Sequence, residues 1–309
     1  MARANVVVMG SSNTDMIIQI KKIPRPGETL LGDKFNIAQG GKGANQAVGA
    51  ARAAKPGTQV TFIAKVGKDV FGDQAIAGFK KDKIQTDYIF RDSKNPSGVA
   101  LIFVAEDGKN SIGVASGANA TLSPGDVKKA AQAIKSADIL VLQLETPLET
   151  VQAAIEIADQ AEVPVILNPA PAQKLPQEIL QKVTILTPNE IEAETLTGIA
   201  VKNKTTAAQA AKILHDQGVP IVIVTLGAKG AYLSAPALKE MIKPFKVKAL
   251  DTTAAGDIFN GSLAAALSEG TGLLEAVHFA SAAAALSVTK LGAQPSAPRR
   301  REINELLKA

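Results

Sequence analysis

Short unbroken apolar runs recur along the chain, and stretches with helical spacing lie between them. Ile139-Leu140-Val141-Leu142, Val163-Pro164-Val165-Ile166-Leu167, Val183-Thr184-Ile185-Leu186 and Ile221-Val222-Ile223-Val224 are runs of this kind. A helical pattern from Leu148 to Ala161 separates the first two, and further helices separate the others. A half-buried strand alternates apolar and polar residues, so unbroken runs mean strands buried on both faces. The pattern predicts an α/β fold, a three-layer α/β/α domain with a mostly parallel central sheet. Asn5-Val6-Val7-Val8-Met9-Gly10 reads as a first buried strand. It is too short for a signal-peptide core and runs straight into polar residues.

The runs end in polar or turn residues: Gln143-Leu144-Glu145, Asn168-Pro169, Pro188-Asn189-Glu190 and Thr225-Leu226-Gly227. Ligands of open α/β sheets gather at the carboxyl ends of the strands, so these tips are candidates as a set. Two excursions, Met16 to Phe35 and Pro96 to Ala115, break the rhythm with short strands and with turns at Pro26-Gly27 and Asp107-Gly108. Each is too short to be a domain. Together they predict a small β-sheet lid, built from about 16–36 and 96–116, on a single α/β domain spanning 1–309. Within it, Val99 to Val104 is apolar at every position, so both faces of that strand are apolar. A lid needs one covered face. The second predicts a homodimer with two lid sheets packed about a two-fold axis, the alternative being a monomer with this strand against the main body.

Composition narrows the function. The chain of 309 residues has no cysteine, which excludes disulfides and thiolate metal sites and suits a cytoplasmic location. His215 and His278 are far apart and read as packing or helix-surface residues rather than metal ligands. The net charge of +5 is scattered and there is no tryptophan, which argues against nucleic acid and modestly favours an anionic ligand such as a nucleotide. No apolar run approaches the ~20 residues of a membrane span, so no membrane partner is expected.

Three segments carry candidate chemistry. Asp251-Thr252-Thr253-Ala254-Ala255-Gly256-Asp257 precedes a helix predicted from Ile258 to about Ser268. Small residues at a helix start leave backbone N–H groups free at the positive dipole end, a site for a phosphate in transfer. Asp257, in the first turn, is placed to take a proton from an attacking hydroxyl. A Gly-Asp pair alone is also an ordinary acidic helix start. Gly40-Gly41-Lys42-Gly43-Ala44-Asn45-Gln46 opens a helical run to Ala54 and offers close backbone approach with donors on Lys42 and Asn45. It is neither a complete dinucleotide fingerprint nor a Walker A loop, and could equally be a tight turn before a helix. Asn13-Thr14-Asp15 pairs an amide with a carboxylate, suited to vicinal diols, or forms an Asx turn; Glu145 is open in the same way.

These segments, in this order, resemble the ribokinase-like family of carbohydrate kinases, the phosphofructokinase-B superfamily. Asp251 to Asp257 matches its carboxyl-terminal signature and Gly40 to Gln46 its amino-terminal one. Gln143 to Glu149, Asn168 to Pro171, Pro188 to Glu194 and Gly292 to Ser296 strengthen the likeness, which covers nearly the whole chain. The resemblance implies transfer of phosphate from ATP to the 5-hydroxyl of D-ribose, with magnesium required. It implies Asp257 as general base and Ala254, Ala255 and Gly256 as an anion hole. Asn13, Asp15, Gly41, Lys42, Asn45 and Glu145 would hold the sugar. Asn189 and Glu192 match an Asn-x-x-Glu motif linked to magnesium and phosphate. Thr225, Leu226, Gly227, Ala228, Lys229 and Gly230 would line the nucleotide pocket, with Ser281 nearby. Asp251, Thr253, Ser287, Lys290, Gly292 and Ser296 would hold a monovalent cation such as potassium, largely through backbone carbonyls. Ile258 and Ser281 depart from the residues usual in that family. The rival readings are a kinase of deoxyribose, another pentose or a nucleoside, a non-catalytic sugar-binding protein, and a dinucleotide oxidoreductase.

Overall fold

A computed structural model describes residues 4–107 and 109–308. Gly108, the second residue of the turn expected at Asp107-Gly108, lies outside the described residues. The strands in chain order are β1 Asn5–Met9, β2 Asn13–Ile20, β3 Lys34–Gly40, β4 Gln59–Gly67, β5 Ile89–Asp92, β6 Gly98–Ala105, β7 Asn110–Ala115, β8 Ile139–Leu142, β9 Val165–Leu167, β10 Ile185–Leu186, β11 Ile221–Thr225, β12 Ala231–Ala235 and β13 Leu238–Ile242. The helices are α1 Lys42–Ala53, α2 Val70–Lys81, α3 Pro124–Lys129, α4 Ala131–Lys135, α5 Leu148–Gln160, α6 Gln177–Leu180, α7 Glu190–Thr197, α8 Lys204–Asp216, α9 Ala255–Ser268, α10 Leu273–Ser287 and α11 Arg300–Leu306.

Nine strands form one sheet in the order β13-β12-β11-β10-β9-β8-β1-β4-β5. The pairs from β5 to β11 are parallel, and β12 and β13 add antiparallel at one edge. The unbroken apolar runs have the expected cause. In β1, Val6 and Val8 pack into one core cluster, with α1, α9 and α10, while Val7 and Met9 pack into the other, with α5 and α8. A strand whose side chains alternate between two buried layers has no polar face to display. The result is a three-layer α/β/α fold.

The remaining four strands form a separate sheet, β3-β2-β6-β7. It begins earlier than the expected segments, because β2 pairs from its first residue: Asn13 lies opposite both Gly40 and Gly98. Asn13 to Asp15 are therefore strand residues and not an Asx turn. The helix expected between β9 and β10 shrinks to the single turn of α6, in a segment interrupted by Pro169, Pro171 and Pro176. His215 contacts Val219 O and Ser234 Oγ, a packing role. Among the described residues no helix is long and apolar enough to cross a membrane.

Candidate active site

After β1 the chain builds outward through β4 and β5, then crosses back to lay β8 on the other side of β1. A reversal of that kind opens a crevice beyond the carboxyl ends of the two central strands. Ser11 follows β1 and Glu145 follows β8, and Ser11 Oγ donates to Glu145 Oε2 at 2.5 Å. The same oxygen accepts the backbone N–H of Lys42 at 3.0 Å, so Glu145 is clamped to the start of α1. The helix can come this close because residue 43 is glycine; a Cβ there would overlap the backbone of Gly10. Gly41 turns the chain into the helix at φ 90°, with Asn13 N against it.

Helix α9 lies against α1. Gly261 faces the carbonyl of Gln46 with no room for a side chain, and Ile258 is buried against Gly49. Ile258 thus points into the core, which explains why an apolar residue is tolerated beside Asp257. The close approach lets Asn45 Nδ2 donate to Asp257 Oδ2 and Gln46 Nε2 donate to Asp257 Oδ1, both at 3.0 Å. Helix α9 starts from Ala254 in the left-handed region, φ 61°, a strained position for alanine. Ile258 N–H donates to Ala254 O and Ala255 N–H to Thr252 O. Among the described residues the N–H groups of Gly256 and Asp257 have no acceptor. Two free donors at a positive helix end, beside a buried carboxylate, make an anion site next to a proton acceptor.

Charge is concentrated here. Burial pushes the Asp257 carboxyl up; Lys42 and the amides of Asn45 and Gln46 pull it back, and Glu145 pushes it further up. The net direction is upward, which suits a base. Burial would lower the Lys42 ammonium, but Asp257, Glu145 and Glu192 around it carry it upward. Asp15 is pushed up to about 6 by burial and then by Glu145. Its carboxyl lies over Gly40 on the neighbouring strand. Contacts and electrostatic coupling thus link Asn13, Asp15, Gly41, Lys42, Asn45, Glu145 and Asp257.

The nucleotide-side residues surround the next strand tips. Asn189 caps α7: its Oδ1 accepts the N–H of Glu192, while its own N–H and Nδ2 donate to the two oxygens of Glu192. Burial raises the Glu192 carboxyl, opposed by the Asn189 N–H and by Lys42. Asn189 bridges to Thr225, and Gly227 and Gly230 take positive φ in the turn that follows. Ala228 is exposed there, whereas the Leu226 side chain is in the core, so only its backbone can face a ligand. Lys229 reaches Glu190 at 3.4 Å and the carbonyl of Lys202. Ser281 is half-buried on α10.

Of the expected cation residues, Asp251, Thr253 and Gly292 are joined by hydrogen bonds. Leu250 N–H and Asp251 N–H donate to Val288 O, while Asp251 accepts Thr253 N–H at 2.9 Å and Gly292 N–H at 2.8 Å. Those bonds hold the Asp251 carboxyl below its ordinary range although burial opposes them. Side chains of the others are turned elsewhere: Ser287 Oγ to Ala284 O, Ser296 Oγ to Ala293 O, and Lys290 Nζ to Glu302.

Several buried amides, some of them within the candidate segments, have no individual role in the sequence pattern. Gln46, Gln143, Asn168 and Asn260 lie behind Asp257, and Asn119 holds Asn13 through Nδ2 to Oδ1 at 2.7 Å. A signal was present for Gln143 and Asn168, since polar residues just after apolar runs need partners. Asn119 has no such local mark.

A family model for pfkB family carbohydrate kinases matches residues 3–300. The chain belongs to the pfkB family of carbohydrate kinases. Among relatives, a ribokinase of Haemophilus influenzae is 47% identical over 305 residues, covering 99% of each chain. A deoxyribokinase of Salmonella typhi is 40% identical over 304 residues, 98% of each chain. The solved structure of Arabidopsis thaliana ribokinase complexed with ribose and ATP superposes on this fold with a TM-score of 0.92, at 34% identity and full coverage of both chains.

Proposed function

We propose that this kinase transfers the γ-phosphoryl group of ATP to the 5-hydroxyl of D-ribose, giving ribose 5-phosphate and ADP. The observation that carries the reading is Asp257, a buried, raised carboxylate held by two amides directly beside two unpaired N–H groups at the start of α9. Ribose and ATP, the ligands named for the Arabidopsis protein, and the ribokinase relatives support the substrate pair. Asn13, Asp15, Lys42, Asn45 and Glu145 hold the sugar hydroxyls. Asp257 takes the proton as the 5-hydroxyl oxygen bonds to the γ-phosphorus and the bond to the β-phosphate oxygen breaks. The Gly256 and Asp257 N–H groups, with the Ala254 and Ala255 backbone shaping the turn, meet the charge on the transferring group. Asn189, Glu192 and the 225–230 turn receive the nucleotide.

Glu192 is a hard oxygen donor beside the phosphoryl site, and magnesium bound there through water would neutralise phosphate oxygens. The Asp251 loop suits a monovalent cation. Its part-buried carboxylate is met by the N–H groups of Thr253 and Gly292 and by the Thr253 hydroxyl, with no cationic side chain among the described residues. Carbonyls of Thr253, Ser287, Lys290, Gly292 and Ser296 would hold potassium, steadying the loop that leads into α9. Asp251 itself braces the loop rather than offering free oxygens.

The small sheet serves as the lid of a single domain spanning the chain. Register separates its faces. Ala100, Ile102, Ile112 and Val114 share the Asp15 face, while Met16, Phe35, Ile37 and Leu101 share the other. On the second face Phe35, Ile37 and Leu101 are 59%, 51% and 53% exposed, and on the Asp15 face Ile112 and Val114 are both 55% exposed; the Asp15 face belongs to the sugar, so the second face is the apolar patch that a second copy of the chain would cover. The protein works as a cytoplasmic homodimer. A coupled ADP-release assay across pentoses, deoxyribose, hexoses and nucleosides tests the substrate. Ribose should give the highest kcat/KM; a higher value for deoxyribose would select the second relative's chemistry, and no turnover would leave a sugar-binding protein.

A further inference from the structure

Behind Asp257 lies a buried chain of amides whose orientations are forced in sequence. The carboxylate is acceptor-only, so the Gln46 group within 3.0 Å of Asp257 Oδ1 must be its amide nitrogen. That nitrogen also reaches Asn168 Oδ1 at 3.2 Å. The Gln46 oxygen is then left to accept, and it receives Gln143 Nε2 at 2.7 Å. Asn168 Nδ2 faces Thr187 O, Thr187 Oγ1 donates to Asn260 Oδ1 at 2.7 Å, and Asn260 Nδ2 donates to Gly256 O at 2.8 Å. The path starts on the Asp257 side chain and ends on the Gly256 carbonyl, in the very peptide that carries the Asp257 N–H. Gln46, Asn168, Thr187 and Asn260 are all buried, so water does not offer substitute partners.

We propose that Gln46 is a positioning residue for Asp257, and that the amide path through Asn168, Thr187 and Asn260 holds the base carboxylate and the adjoining anion-site peptide in one fixed relation. The inference rests on Asp257 being the base. Phosphoryl transfer depends on alignment, and a displacement of about 1 Å can cost about a hundredfold. Gln46 also favours the charged form of Asp257 by donating to it. The charged groups that face Asp257 from the surrounding elements are Lys42 on α1, Glu145 after β8 and Glu192 on α7.

The test uses the full-length protein with ribose, ATP and magnesium, and two variants that keep the side chain's length. Gln46→Met removes the donor. Gln46→Glu keeps the shape but sets a second acid against Asp257. Both should lower kcat by about ten- to a hundredfold, with the KM for ribose changed less than threefold. In both, the acidic limb of the kcat–pH profile should move to higher pH, further in Gln46→Glu because two adjacent carboxyls share a proton. An acidic limb that stays in place in both variants overturns the proposal, as does a loss confined to KM. If Gln46→Met does not fold, Gln46→Glu alone decides by the same limb. Asp257→Asn, run in parallel, separates the underlying reading: if that variant stays active, Asp257 is not the base, whatever Gln46 does.

Discussion

Asn45 Nδ2 donates to Asp257 Oδ2 at 3.0 Å across 212 residues of chain. This bond joins the two signature segments, one on α1 and one on α9, at the buried Asp257 carboxylate. The amide supports the charged form of a carboxyl that burial makes costly to ionise.

Asp257→Asn should lower kcat about a thousandfold or more while leaving ribose affinity nearly unchanged. A general base contributes about 10²–10⁴-fold, and an amide cannot take the proton. Turnover by ADP release and binding by calorimetry give the two numbers. Retention of a tenth of the original turnover would remove Asp257 from the role.

Asp15→Asn should weaken ribose about ten- to a hundredfold, because a hydrogen bond to a charged group contributes about 1.5–3 kcal/mol. The KM for ATP should stay put. With the carboxyl pushed up to about 6, ribose affinity of the unsubstituted protein should fall as pH drops through that value. Stability runs the other way. A raised acid binds more protons folded than unfolded, so stability declines as pH rises from about 4 to about 6. The ligand-free Asp15→Asn protein should therefore melt higher than the parent at pH 7.5 and lose that advantage below pH 4. Melting curves at the two pH values check it.

Potassium should raise the rate well above that in sodium- and potassium-free buffer, and Asp251→Asn should blunt the response. The Asp251 carboxylate ties Thr253 to Gly292. Weakening that tie loosens the loop that leads into α9. Equal rates with and without the cation would rule the site out.

Leu101→Lys and Ile102→Lys should separate, because adjacent strand residues face opposite sides. By light scattering the parent should have twice the 32.0 kDa chain mass. Leu101→Lys should bring it to one chain mass. Ile102→Lys should leave assembly intact and weaken ribose. A parent at one chain mass would sink the dimer.

Gly261→Ala should destabilise the fold by about 1–3 kcal/mol, since its methyl meets the Gln46 carbonyl between two packed helices. Activity should fall further than in a surface control such as Gly125→Ala, where the nearest atom is 3.6 Å away. Chemical denaturation with parallel assays measures both.

The sequence by itself determined the layered fold, because strands buried on both faces must be apolar throughout and Val6 to Met9 or Ile139 to Leu142 admit no other environment. It also marked the candidate site loops, since free N–H groups at a helix start and close backbone approach need small residues such as Gly40, Gly41, Gly43 and Ala254 to Gly256. Tertiary structure alone decided which polar groups meet. Asn13 became a strand residue because glycines stand opposite it on both neighbours, a pairing set by segments far along the chain. Gln46, Asn168 and Asn260 acquired their roles only when α1, the β9 tip and α9 came together around Asp257. The choice between Leu101 and Ile102 likewise waited on register. Periodicity is local, whereas the partner of a buried amide or a strand is fixed by packing between distant segments.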